Sequence, residues 1–148
     1  MKNTVLLVGP GACRQALTST IEVLGMEALP VHNWRQARQA LDADPDIIVA
    51  ITALTLGDGN WCDVVQHAAQ RDFQTSVVVV SRAASARLWA ELLWRGAHDL
   101  MVEPLNGREV RRTIEGAVRA AEAARGRVEP PMAVPGRAVA SDSASTLY

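Results

Sequence analysis

Aromatic residues are scarce in this chain: one Tyr, one Phe and four Trp among 148 residues. A core must therefore come from Val, Leu, Ile and Ala, within an apolar fraction of 49%. An excess of either charge is also missing. Fifteen basic residues against sixteen acidic leave a net charge of −1, so no global field attracts nucleic acid or anionic lipid. Neither the start nor any other stretch forms a long uncharged apolar run, which argues against a membrane span and a signal peptide. Only two cysteines occur, Cys13 and Cys62, far apart and in no metal-ligand spacing. These absences point to a protein of the reducing cytoplasm, and the length suits one domain.

What is present is an alternation of short apolar runs and amphipathic segments. Residues 4–8 form a β-branched and leucine run, as a buried parallel strand should. The helix that follows shows Ala16, Leu17, Ile21 and Leu24 at three- and four-residue spacing and stops at Gly25, a natural C-terminal cap. A weaker second strand covers 28–32. Asn33 then caps a second helix, with Gln36 three residues on in a capping-box pattern, and Ala37 and Leu41 facing inward. The third strand, 46–52, leads to the turn Gly57-Asp58-Gly59-Asn60 and a helix over 61–67. The fourth strand, 76–81, is apolar on both faces and so is expected to be central. Its helix covers 84–94 and ends at Gly96; the fifth strand is 99–102. A last helix over 107–123 aligns Val110, Ile114, Ala117, Val118 and Ala121. Five strands alternating with five helices imply a parallel sheet covered on both faces by right-handed crossovers.

Residues 1–123 thus read as one α/β domain. The stretch 124–148, with Pro130, Pro131, Pro135 and Gly136 followed by Ser, Ala and Thr, lacks apolar periodicity and is expected to be a disordered tail or linker.

Four pieces agree in order and spacing with a known family. They are Thr4-Val5-Leu6-Leu7-Val8, then Leu54-Thr55-Leu56-Gly57-Asp58-Gly59-Asn60, then Ser81-Arg82-Ala83. The most specific is Gly96-Ala97-His98-Asp99-Leu100-Met101-Val102-Glu103-Pro104-Leu105. Over roughly residues 2–122 the chain resembles a response-regulator receiver domain of two-component signalling. The resemblance implies a flavodoxin-like (βα)5 three-layer sandwich with strand order 2-1-3-4-5.

The resemblance also implies a site, and this chain departs from it. A working receiver holds Mg²⁺ on two acids after the first strand, because a hard cation demands oxygen ligands. An aspartate after the third strand accepts the phosphoryl group, a Ser or Thr after the fourth hydrogen-bonds it, and a Lys before the proline pairs with it. Here the acidic pair falls on Gly9 and Pro10, or at latest Gly11. The acceptor falls on Ile51 by counting back from Ser81 and Glu103, and on Ala53 by matching the Leu56-Gly57-Asp58 turn. Ile51, Thr52 and Ala53 all lack a carboxylate. Glu103 replaces the lysine and reverses its sign; only Ser81 and Pro104 remain. At an effective dielectric of ~20, trading attraction for repulsion near ~4 Å changes the interaction by several kcal/mol. Phosphoryl transfer depends almost wholly on such positioning and electrostatics.

Other signals have plainer readings. Asp58 is the nearest acid to the vestigial site, but its glycine-flanked sequence reads as a turn. Glu103 reads as a partly exposed strand-end residue, and Ser81 as a hydroxyl bonded to nearby backbone. The Glu103-Pro104 bond is expected to be cis by the resemblance. Gly9-Pro10-Gly11 is similar to the start of a dinucleotide fingerprint, yet Arg14 stands where the third glycine belongs and no acid follows the second strand. Cys13 and Cys62 read as small buried side chains, and His32, His67 and His98 form no ligand pattern.

The fourth helix is more informative. On a helical wheel Leu88, Trp89, Leu92 and Leu93 share a broad face expected to point inward, with Trp94 opposite beside Arg87, Ala90 and Glu91. An outward indole flanked by charges and a small alanine has the make-up of a binding hot spot. The last helix adds Arg108, Arg111, Arg112 and Arg119, too few to argue DNA binding without a reading helix. The leading expectation is a non-enzymatic pseudo-receiver with no metal and no cofactor. It would signal through contacts with a histidine kinase, an effector or a second copy as homodimer. By resemblance, that contact face is formed by helix four, strand five and helix five. The competing expectation is a small nucleotide-binding or enzymatic α/β domain using the Gly9-Pro10-Gly11 turn.

Overall fold

The computed structural model describes residues 3–9 and 14–126. The order is β1 (Thr4–Val8), α1 (Arg14–Val23), β2 (Glu27–Val31), α2 (Trp34–Ala43) and β3 (Ile47–Ala53). It continues α3 (Trp61–Ala69), β4 (Ser76–Ser81), α4 (Ala86–Arg95), β5 (Asp99–Val102) and α5 (Gly107–Gly126). All pairings are parallel, and the sheet runs β2-β1-β3-β4-β5, the expected flavodoxin-like order.

Strand residues alternate between two apolar layers because successive side chains point to opposite faces. Leu6, Val8, Ala50, Val77 and Val79 join Ala37, Leu41, Trp61, Val64 and Leu92 on the side of α2, α3 and α4. Val5, Leu7, Val49, Ile51 and Val78 join Leu17, Ile21, Val110, Ile114 and Ala117 on the side of α1 and α5. Both faces of the central strands are thereby covered, which is why those strands read as continuous apolar runs. No helix among the described residues is long and apolar enough to cross a membrane.

Local signals place the helix ends. The Asn33 side chain accepts from the Gln36 N–H at 2.8 Å, while Gln36 reaches back to accept from the His32 N–H at 2.7 Å. Asn60 and Asp63 form a full capping box at α3. Ser85 accepts from the Leu88 N–H at 3.0 Å, and Gly96, at φ 101, closes α4 in the left-handed conformation that a side chain disfavours.

Three elements, α4, α1 and α5, differ from the sequence expectation. In α4 only Leu92 is fully buried and Leu88 half-buried; Trp89 is 36% and Leu93 56% exposed. The reason is position. α4 ends its layer over the edge strand β5, so it has a helical neighbour on one flank only, and its apolar arc is wider than the surface available to cover it. Ala16 of α1 is likewise exposed, whereas Leu17 and Ile21 are buried. The third difference is that α5 runs on to Gly126. Arg125 fastens its last turn to the sheet, donating from Nε to the Gln74 carbonyl at 2.8 Å and from Nη2 to the Ile47 carbonyl at 2.9 Å. Its guanidinium also lies 5.8 Å from the Phe73 ring centroid. Of the expected tail, 127–148 lies outside the described residues.

Candidate functional site

In an open parallel α/β sheet the crevice lies beyond the carboxyl ends of the strands, and the sequence candidates for a vestigial site gather there. Gly9 follows β1 with φ 102, and its N–H donates to the Val31 carbonyl at 3.0 Å. A Cβ at this position would meet Leu56 Cδ2 at 3.1 Å and Ala53 Cβ at 3.3 Å. Glycine is thus required twice over, by conformation and by space. Leu56 is buried and fills the crevice above Gly9. Pro10 and Gly11, with Cys13, lie outside the described residues.

At the end of β3 the side chains divide between the layers. Ile51 is 2% exposed and belongs to the apolar cluster of α1 and α5. Thr52 is buried with its hydroxyl donating to the Ala53 carbonyl at 3.0 Å. Ala53 is half-buried against the opposite cluster. Ser81 and Glu103 are joined through backbone, the Glu103 N–H donating to the Ser81 carbonyl at 2.9 Å. The Ser81 hydroxyl donates to the Ala83 carbonyl at 2.7 Å and accepts from the Ala83 N–H at 3.2 Å, so it closes its own loop. The Glu103 carboxylate lies 3.8 Å from Arg82 Nε, and the peptide to Pro104 is cis. Above Gly9 the edge thus offers the methyl of Ala53 and the isobutyl of Leu56, with the Glu103 carboxylate at its rim.

Asp58 does not enter this crevice. Its carboxylate turns to the start of α2 and accepts from the Trp34 N–H at 2.8 Å and the Arg35 N–H at 3.0 Å. The Trp34 bond has the largest effect; with the Arg35 N–H and Asp58's own, it holds this carboxyl below the usual carboxylate range against the opposing effect of desolvation. The loop 54–60 is closed on itself as well, with Leu56 N–H donating to Gly59 O at 2.9 Å and Trp61 N–H to Leu54 O at 3.1 Å. Asp58 therefore ties the β3–α3 loop to α2. Sequence reasoning saw the turn and missed the tie, because its partners lie 24 and 23 residues away and no local pattern marks them.

The remaining candidates have structural partners. His67 Nε2 meets Asp42 Oδ1 at 2.7 Å and its ring stands edge-on to Trp34. The Cys62 thiol is partly buried in the first turn of α3; burial pushes its pKa up, with Arg95 opposing. Among the described residues no three His, Cys, Asp or Glu side chains come together as a metal-ligand set. A hollow of about 300 Å³ opens at the other, amino edge of the sheet, lined by Leu41, Asp42, Arg71 and Phe73 among others, far from the crevice.

On α4, Arg87, Ala90, Glu91 and Trp94 are all exposed, Trp94 at 88%. Glu91 pairs with Arg95 at 3.4 Å along the helix. Arg111 and Arg112 are exposed on α5, Arg111 pairing with Glu115 at 3.4 Å. Trp89 and Leu93, expected inside, enlarge the outward apolar surface of α4.

The chain matches response regulator protein PilR of Pseudomonas aeruginosa at 27% identity over 106 residues. That match spans 72% of this chain but 24% of PilR, so the chain corresponds to about a quarter of that relative. The signal receiver domain of a Luxo repressor protein from Vibrio parahaemolyticus superposes with a TM-score of 0.77 at 21% identity, over 88% of this chain and 100% of that one. The fold is that of a response-regulator receiver domain. The receiver domain of an HD domain-containing protein from Pseudomonas fluorescens Pf-5 agrees, with a TM-score of 0.76 at 18% identity over 86% of this chain and 94% of that one. No family model matches the chain.

Proposed function

We propose that this receiver-fold chain is a pseudo-receiver, a non-enzymatic module of two-component-type signalling that acts through protein contacts and needs no phosphoryl transfer. The observation that carries this reading is the apolar filling of the crevice. Ile51 is sunk in the core, and Ala53 and Leu56 occupy the space a side chain at position 9 would need. A receiver crevice must gather carboxylates around a hard cation and place a cation beside the incoming phosphoryl. Here Asp58 is committed to α2 and Glu103 brings a negative charge to the rim. The Asp58 carboxylate ties the β3–α3 loop to α2 through the Trp34 and Arg35 N–H groups. Recognition falls to the surface of α4, β5 and α5, with Trp94 at its centre and a histidine kinase, an effector or a second copy as its partner.

The test uses the chain's four tryptophans. Saturating Mg²⁺ with beryllofluoride leaves the melting temperature and the tryptophan emission unchanged, because a ligand stabilises only a state that binds it. A melting temperature that climbs with their concentration overturns the reading.

A further inference from the structure

We propose that the hollow at the amino edge of the sheet is a binding site for a free apolar α-amino acid of about the size of leucine. The site lies at the opposite edge from the crevice and does not depend on the pseudo-receiver reading.

At about 300 Å³ the hollow falls at the lower end of the range for small-molecule sites, with room for about ten water-sized groups. Leu41, Pro45 and Phe73 form its apolar wall, and Asp42, Arg71 and Asp72 bring its charges. Arg71 is the group whose bonding is incomplete. Its Nη2 donates to the Asp44 carbonyl at 2.8 Å, while Nη1 is shut off from water and meets no acceptor. A buried donor left unmet costs free energy that an acceptor would recover. Burial, and after it the charge of Arg125, pulls the Arg71 pKa down, with Asp44 and Asp42 opposing. Arg125 is held in place, its Nε and Nη2 fixed on the Gln74 and Ile47 carbonyls. A carboxylate in the hollow supplies both the missing acceptor and a counter-charge. Turning the planar guanidinium about its bond to Asp44 brings Nη1 to it.

A simple anion does not suit the other groups. Asp72 is exposed and has no hydrogen-bond or ion-pair partner among the described residues. Asp42 meets His67 Nε2 through Oδ1 at 2.7 Å, yet its side chain stays 61% exposed. The hollow also lies between two helix carboxyl ends, because Leu41 and Asp42 belong to the last turn of α2 and Arg71 follows the α3 cap Gln70. Helix carboxyl ends carry partial negative charge. This field repels a lone carboxylate, and a lone amine leaves Arg71 Nη1 unmet. A ligand with ammonium and carboxylate on one carbon answers both, its side chain lying against Leu41, Pro45 and the half-exposed Phe73 ring. A peptide terminus carries only one of the two charges and is set aside on the same ground.

The test is an amide NMR titration of the full chain with L-leucine at neutral pH. Saturable shifts are expected, concentrated in residues 41–46 and 70–74 around the hollow. Isocaproate, which lacks the ammonium, and isoamylamine, which lacks the carboxylate, are expected to bind at least about tenfold more weakly, each having lost one charged hydrogen-bonding group. Asp72→Asn removes a charge that the fold does not use, and Arg71→Gln removes the guanidinium; each is expected to weaken leucine about tenfold. The dispersion of the amide spectrum checks that both variants are folded. The site is overturned by the absence of saturable shifts with leucine, by shifts centred elsewhere, by either analogue binding as tightly as leucine, or by Asp72→Asn binding as the parent does. None of these outcomes bears on the response to beryllofluoride, so the site and the pseudo-receiver reading stand or fall separately.

Discussion

Ile51 and Asp58 are two side chains near the crevice that turn away from it, one into the core and one to the start of α2. Ile51 lies among Val5, Leu7, Val49 and Val78, where a carboxylate would find no hydrogen-bond donor and no cation. Ile51→Asp is therefore expected to cost about 3 kcal/mol or more in stability without creating a phosphorylation site. Urea denaturation measures the first, and a variant as stable as the parent contradicts it. Asp58 is held below the ordinary carboxylate range, first by the Trp34 N–H. A depressed carboxyl contributes stability fully above its unfolded pKa and loses it as pH falls through the folded value. The melting-temperature gap between the parent and Asp58→Asn is thus expected to be widest near neutrality and to close in acid. A gap that is constant from neutral pH to acid means that the Asp58 charge does not hold the loop.

At the scale of elements, α4 separates what a pattern can and cannot say. Its start at Ser85 and its stop at Gly96 follow from local chemistry, a side-chain oxygen for an orphan N–H and a residue free to turn left-handed. Its inward face does not, because Leu88, Trp89, Leu92, Leu93 and Trp94 make the helix apolar almost all round. Only the edge position of α4 in its layer decides which of them meet the sheet. Leu92→Ala is expected to cost about 2–5 kcal/mol, since Leu92 is wholly buried. Leu93→Ala, on the exposed side, is expected to stay within about 0.5 kcal/mol of the parent. Equal costs in chemical denaturation would contradict the orientation of the helix. The strands were more legible: β1, β3 and β4 are covered on both faces, so continuous runs such as Val77-Val78-Val79-Val80 mark them without ambiguity.

At the scale of the whole molecule, a parallel sheet covered on both faces follows from alternating strands and helices with right-handed crossovers, whereas the strand order 2-1-3-4-5 could be read only through the family resemblance. The long-range ties could not. Asp58 reaching α2, and Arg125 reaching Ile47 from 78 residues away, are side-chain bonds to backbone that leave no periodic trace. The candidate site positions were legible only through the family resemblance. The identity of their fillings, Leu56 above Gly9 and Ala53 beside it, needed the folded chain. In this receiver-fold chain, then, Leu56 and Ala53 fill the space above Gly9 with apolar groups, and α4 keeps two indoles in water.

The most direct measurement is the intact mass of the full chain after prolonged incubation with Mg²⁺ and acetyl phosphate at neutral pH, under conditions that label a competent receiver. The expected result is the unmodified mass throughout. An added phosphoryl group, labile to hydroxylamine and mapped to a side chain of the crevice, would contradict the proposed function outright.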